Sequence, residues 1–202
     1  LVYFDCNDFD HACLAPCSLD ILRLASSLII ACHAHKQDGD AITQHAISAY
    51  RQALLEGKSN WVERAACHGL VEELLKTTKK RTHKDWLHER ALKSPNGQLC
   101  INTDHKGISP ASQAQIDKIN ILWALHAPQD WQLQDIACRQ AGLASRGLER
   151  YLVLAKHQDE PLFLDIKAAA PSHSATLYAT RQPAWAHPAE RIDWAQHYLQ
   201  AI

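Results

Sequence analysis

Not one methionine occurs in the 202 residues, and the chain opens on Leu1. Its natural form is therefore expected to extend upstream of Leu1, or to have been cut there. The chain also lacks an excess of either charge. Lys and Arg number 21 against 22 Asp and Glu, a formal net charge of -1, so no pull toward nucleic acid or an anionic membrane is expected. No C-x-x-C pair is present: Cys13 and Cys17 stand four apart, and Cys6, Cys32, Cys67, Cys100 and Cys138 are scattered. Seven cysteines and thirteen histidines thus fail to make a zinc pattern. Reduced, mostly buried cysteines in a cytoplasmic protein are the expectation. There is no signal-peptide pattern. The apolar run Leu19–Cys32 contains Asp20 and Arg23 and is too short to cross a bilayer, so no membrane partner is expected. A Walker A sequence, an H-E-x-x-H helix and a nucleophile elbow are all missing, which sets P-loop, zinc-protease and serine-hydrolase chemistry aside.

What is there suffices for a core. Hydrophobic residues make up 47% of the chain, enough for one domain or two small ones. Leu1–Phe4 reads as a short buried strand. Residues 18–36 read as a helix apolar on most sides, hence buried. Asp38 or Asp40 is the expected N-cap of a helix over 41–56 that stops at Gly57. A third helix is expected at 60–76, and a shorter one ends near 92. The basic stretch Thr77–Lys84 between them is read as a solvated helix end rather than a phosphate contact. Ser94–Gly97 is a turn, 95–114 a weakly patterned surface connection, and 112–126 a helix. After Pro128 the pattern changes to strands at 133–139, 149–156 and 161–168, with a closing helix at 188–201. Helices segregated from an antiparallel sheet mean an α+β fold. The division falls at Pro128: a helical part over 1–127, then a β-meander with a C-terminal helix over 128–202.

Two constellations carry chemistry. In the first, the opening strand runs into Asp5-Cys6-Asn7-Asp8-Phe9-Asp10. Carboxylates and an amide at a strand end offer the oxygen ligands that hard divalent cations take. The second spans 142–167. Gly142, Ser145 and Gly147 lie between two expected strands, where glycine lets backbone N–H groups approach an anion. In Leu162-Phe163-Leu164-Asp165-Ile166-Lys167, alternation puts Leu162, Leu164 and Ile166 on one face and Phe163, Asp165 and Lys167 on the other. Lys167 is placed to hold a phosphate as a point charge. Taken alone, this two-glycine pattern is weak, and a plain hairpin with a surface lysine is the favoured reading of it. Glu190, Arg191, Asp193, Gln196 and His197 give the last helix a polar face that reads as solvated by default. The histidines are mostly polar surface and are assigned no role.

Asn7-Asp8-Phe9-Asp10, Pro16 and Asp20-Ile21-Leu22-Arg23-Leu24-Ala25-Ser26-Ser27-Leu28 together resemble the signature of the bacterial family catalogued as domain of unknown function 2252. So do Gly142 through Tyr151, the run Leu164-Asp165-Ile166-Lys167, Ser172, Arg191-Ile192 and Gln196. The likeness covers both ends of the chain and little of the helical middle. The first signature also resembles the aminoglycoside-phosphotransferase branch of the protein-kinase-like fold, in which a strand ends in an Asp-Phe dipeptide whose Asp binds magnesium.

That resemblance implies a phosphotransferase, or a fragment of one, using ATP and Mg2+. Its partners would be a nucleotide and a small-molecule or protein substrate. It implies Asp8 as metal ligand with Asp10 beside it, and Asp20 as a structural acid orienting the catalytic loop. Gly142, Ser145, Gly147 and Lys167 would meet the nucleotide, with Glu190 the provisional acid paired to Lys167. The lobes would follow in permuted order, large lobe first. The catalytic Asp and metal-binding Asn would lie upstream of Leu1, so the chain as it stands is expected not to turn over. Two departures stand out. Ala168 occupies a position where family members commonly carry Glu, and Asp165 stands where kinases place the small residue against adenine. Both favour one alternative, a non-catalytic nucleotide- or partner-binding scaffold; a helical interaction module with a coincidental acidic strand end is the other.

Overall fold

The computed structural model describes residues 3–57, 62–63, 66–80, 82–141, 147–178 and 181–200. The architecture is α+β, with six α-helices and antiparallel sheets among the described residues. The chain gathers into two compact units. One takes residues 3–67 and 171–202, the other residues 68–170.

In the first unit, β1 (Tyr3–Phe4) pairs antiparallel with β2 (Val62–Glu63). A coil over residues 5–17 then leads into α1 (Ser18–Ala34), which packs against α2 (Gly39–Glu56). Asp38 settles the capping choice: its Oδ1 accepts from the N–H groups of Asp40 and Ala41 at 3.1 Å each. At the other end Gly57 takes the left-handed C-cap conformation. A Cβ on Gly39 would stand 3.3 Å from Cys32, so the two helices approach closely where Cys32 and Thr43 are buried. The expectation that α1 is buried does not hold. Leu22 is 60% and Ile30 70% exposed, because α2 covers only one side of it. The unit closes with a 3₁₀ turn (Ser174–Leu177) and α6 (Pro188–Leu199), whose Pro188 takes the first helical position.

The second unit holds the better-formed core. It runs α3 (Gly69–Lys80), α4 (His83–Arg90), β3 (Ala91–Lys93), β4 (Leu99–Ile101), β5 (Ile108–Pro110), α5 (Gln113–His126), β6 (Trp131–Arg139), β7 (Arg150–His157) and β8 (Glu160–Lys167). Strands β5 to β8 form one antiparallel sheet in sequence order. The central β7 buries Tyr151, Leu152, Val153, Leu154 and Ala155. Alternation sends Leu152 and Leu154 into a cluster with Ile101, Ile108, Ala137, Leu87, Leu99 and Phe163, on the side of α4 and the β3–β4 hairpin. It sends Tyr151 and Val153 to the opposite face, with Ile119, Ile116 and Trp123 of α5 and Leu164 and Ile166 of β8. A strand covered on both faces reads as a continuous apolar run, as Tyr151–Ala155 does. Both α4 and α5 begin with capping boxes, Thr82 with Asp85 and Ser112 with Gln115.

The third helix is displaced from its expected place. Pairing with β1 draws Val62–Glu63 into a strand, and the helix starts at Gly69 and runs to Lys80. Thr77 and Thr78 survive inside it because their hydroxyls donate back to the Glu73 and Leu74 carbonyls at 2.8 and 2.9 Å. The stretch 95–114, expected to be irregular, supplies β4 and β5. Gly107 makes β5 possible: its carbonyl accepts from Gln140 N at 2.7 Å, and it holds φ +80. A Cβ there would meet the Gln140 carbonyl oxygen at 2.6 Å. Gly107→Ala is therefore expected to destabilise the chain by more than ~2 kcal/mol in urea unfolding. Gly97→Ala, at φ +84 with open space around it, is expected to cost only ~1 kcal/mol. Equal losses would show that the close backbone approach is unimportant.

Candidate functional site

The acidic segment follows β1 and is held almost entirely through its backbone. Arg191 of α6, only 5% exposed, reaches under it. Its Nη1 donates to the carbonyls of Phe9 and Ala12 at 3.3 and 2.8 Å, and its Nη2 to that of Asp10 at 2.8 Å. Neighbouring carbonyls are taken by the same C-terminal segment. Ser172 Oγ donates to His11 at 2.9 Å, Gln200 Nε2 to Cys6 at 2.7 Å, and Gln182 Nε2 to Leu14 at 2.8 Å. Gln182 Oε1 accepts in return from Leu14 N at 2.8 Å, so its amide mimics a β-ladder pair. Burial pushes the Arg191 guanidinium down from its usual range, and the nearby Asp10 opposes that.

This scaffold turns Asp8 outward. Asp8 is exposed and sits at φ +66, a left-handed conformation that Asp tolerates better than most side chains but still at a cost. Among the described residues its carboxylate makes no hydrogen bond or ion pair. Asp10 is half-buried, and Asp5 Oδ1 accepts from Cys6 N at 2.7 Å. Asp20 lies exposed in the first turn of α1, where a negative charge suits the helix dipole. Among the described residues, no group of three or more His, Cys, Asp or Glu side chains is gathered to hold a metal. The donor chemistry fits magnesium all the same, since that ion keeps several waters and is held by one or two carboxylates together with substrate phosphates.

In the second unit the described candidates, Gly147 and Lys167, lie at one end of the four-stranded sheet. Gly142 and Ser145 lie outside the described residues. Gly147 holds φ +93 just before β7. Lys167 ends β8 directly across from Arg150 of β7. Just past it, Ala168 N donates to the Glu149 carbonyl at 2.8 Å. Arg150 grips Asp165 as a fork, Nε to Oδ1 at 2.7 Å and Nη2 to Oδ2 at 2.6 Å, and Arg139 of β6 pairs with the same carboxylate. The sheet end thus carries a row of three cations, Arg139, Arg150 and Lys167, with Asp165 among them. Arg139 belongs to no short motif, and Arg150, though inside the Gly142–Tyr151 signature, is given no role by the sequence. Cross-strand spacing from the Lys167 face was the only clue. Glu190, the provisional acid for Lys167, accepts from Ala186 N at 2.8 Å and thereby closes the N-terminal turn of α6. Asp8, Asp10, Asp20 and Glu190 belong to the first unit, and Gly147 and Lys167 to the second.

The model of a bacterial family described as an uncharacterised protein conserved in bacteria, domain of unknown function 2252, matches residues 1–202. Neither a curated protein nor a solved structure matches the chain.

Near the sheet end Glu149 pairs with Lys118 of α5, which holds the Glu149 carboxyl below the usual carboxylate range. A depressed carboxyl adds stability above that range, and the contribution is lost as falling pH protonates it. In a carboxylate NMR titration, Lys118→Ala is expected to move the Glu149 midpoint upward toward the ordinary glutamate value. An unmoved midpoint would rule Lys118 out as the cause.

Proposed function

The chain belongs to the domain of unknown function 2252 family, and on that footing we propose that it is part of a kinase-like phosphotransferase that uses ATP and Mg2+. One observation carries the reading: Asp8 stands exposed in a left-handed conformation, on a loop whose backbone is pinned by Arg191, Ser172, Gln182 and Gln200. Backbone strain persists only where the surroundings over-determine it, and such places cluster at functional sites. Here the surroundings spend carbonyls, not the Asp8 carboxylate, which stays available to a cation. In the proposed arrangement Asp8 takes the magnesium with Asp10 near it, and Asp20 is a structural acid. Independently of that loop, Lys167 of the second unit, with Gly147 and the arginines beside it, is a candidate phosphate contact. Magnesium would neutralise phosphate charge during transfer, while the protein positions the groups.

A second reading has an observation of its own. Asp165 and its two arginines fill the face beside Lys167 with charged groups, whereas a flat adenine ring favours an apolar slot. Together with Ala168 after Lys167, this favours a scaffold that binds a phosphorylated ligand without transferring the phosphoryl group.

Calorimetry separates the readings. ATP with Mg2+ is expected to give a binding heat that Asp8→Ala abolishes and that Lys167→Ala weakens by ~10-fold. No heat from the wild type, or undiminished heat from Asp8→Ala, defeats the phosphotransferase reading. Tripolyphosphate binding as tightly as ATP favours the scaffold.

A further inference from the structure

Three buried side-chain atoms find no hydrogen-bond partner among the described residues: Thr43 Oγ1, Tyr151 OH and His11 Nδ1. Buried polar atoms are nearly always paired, and an orphan calls for a water, an ion or a functional reason. His11 Nδ1 differs from the other two in its chemistry and its company. It is a nitrogen of the kind that borderline-soft metal ions take, and a second imidazole lies beside it. The ring centroids of His11 and His173 are 5.8 Å apart, and the planes are inclined at 44°. A ring nitrogen stands about 1.2 Å from its ring centre and ~2.0 Å from bound zinc, so two imidazoles on one tetrahedral ion have centres roughly 5–6 Å apart. Ring contact alone would also allow that spacing. It would not leave a ring nitrogen shut off from solvent and unpaired.

One buried serine fixes both backbones. Ser172, only 5% exposed, donates from Oγ to the His11 carbonyl at 2.9 Å and accepts from Ala175 N at 3.3 Å. It thereby ties the loop that carries His11 to the turn that follows His173. All of these residues belong to the first unit. We propose that His11 and His173 form a site for a borderline-soft divalent ion such as zinc, bound through His11 Nδ1 and one ring nitrogen of His173, with Ser172 as its positioning residue. His173 is exposed, so the ion arrives from that side, and a turn of the His173 ring admits it to His11 Nδ1. No third His, Cys, Asp or Glu joins the pair among the described residues. Water therefore completes the shell and leaves positions open to a further ligand. The nitrogen donors set this site apart from the Asp8 carboxylate, whose oxygens suit magnesium, and it is independent of the phosphotransferase reading.

The test adds Zn2+ to the whole chain and follows the histidine rings by long-range proton–nitrogen NMR. The exposed Cys6 and Cys17 thiols also suit zinc, so the readout is the two rings themselves. His11 Nδ1 and one nitrogen of His173 are expected to shift together along one binding curve. Mg2+ in place of Zn2+ is expected to move neither ring. In His173→Ala the zinc response of His11 is expected to be lost, and in His11→Ala that of His173. Ser172→Ala, checked by circular dichroism to be folded, is expected to bind zinc ~10-fold more weakly, as loss of a supporting hydrogen bond does at metal sites. Wild-type rings that zinc leaves unmoved would overturn the site and leave water as the partner of His11 Nδ1. A His11 response in His173→Ala equal to that of the wild type, or Mg2+ moving both rings as zinc does, would overturn the shared nitrogen ligation. Ser172→Ala binding zinc like the wild type would overturn the positioning role.

Discussion

Backbone carbonyls left outside any ladder or helix set the terms for the acidic loop. Residues 5–14 leave β1 after a two-residue strand and form no ladder or helix; beyond the bonds from Ala12 N to Phe9 and from Cys6 N to Asp5, their backbone groups need partners from elsewhere. The C-terminal segment does this with side chains: Ser172, Gln182, Arg191 and Gln200 together bond to Cys6, Phe9, Asp10, His11, Ala12 and Leu14. Arg191 is the centre of that arrangement because one planar guanidinium reaches three carbonyls at once. The consequence is local and chemical. A loop held through its backbone leaves the exposed Asp8 carboxylate to solvent, and it holds Asp8 in a conformation that the residue would rarely choose unaided.

The second unit obeys a different constraint. Its sheet is buried on both faces, by α5 on one and by α4 with the β3–β4 hairpin on the other. A carboxylate within it is held by backbone donors. Asp135 shows this: its Oδ2 accepts from Ile101 N at 2.7 Å and its Oδ1 from Ile136 N at 2.8 Å, beside a break in the β6–β7 register. That carboxylate is structural. At the sheet end, where cover thins, Arg139, Arg150, Asp165 and Lys167 crowd together. The same register that packs Leu152 and Leu154 brings these charges into one row. The packing of the strand and the charge of its end are thus two results of a single alternation.

Much of the secondary structure was legible in the residues. Asp38 and Gly57 bound α2 as their chemistry requires, and the turn at Ser94–Gly97 forms, with Gly97 N donating to the Ser94 carbonyl at 2.8 Å. The meander lies within a residue or two of its expected strands, because Tyr151–Ala155 and Leu162–Ile166 alternate or run apolar in ways a helix does not. The failures have physical causes. Strands of two or three residues, β2, β3, β4 and β5, are too short to show a period and exist only because a partner strand supplies their hydrogen bonds. The exposure of α1 was hidden for the opposite reason: an apolar helix announces that it could be covered, not that this chain covers it. Among the candidate residues, Asp8, Asp10 and Lys167 are singled out by residue type and by the family resemblance. Arg139 and Arg150 are not, since they meet Asp165 only through strand register.

By itself, then, the sequence determined the α+β class, the caps, the meander and the acids worth attention, since these depend on periodicity and on chemistry local to a few residues. Only the tertiary structure decided that Arg191, far along the chain, lies beneath residues 9–12, that Asp8 is turned outward, and that Asp165 is shared by two arginines. Each of those outcomes depends on long-range hydrogen bonds, and no local window of sequence carries the distance between their partners.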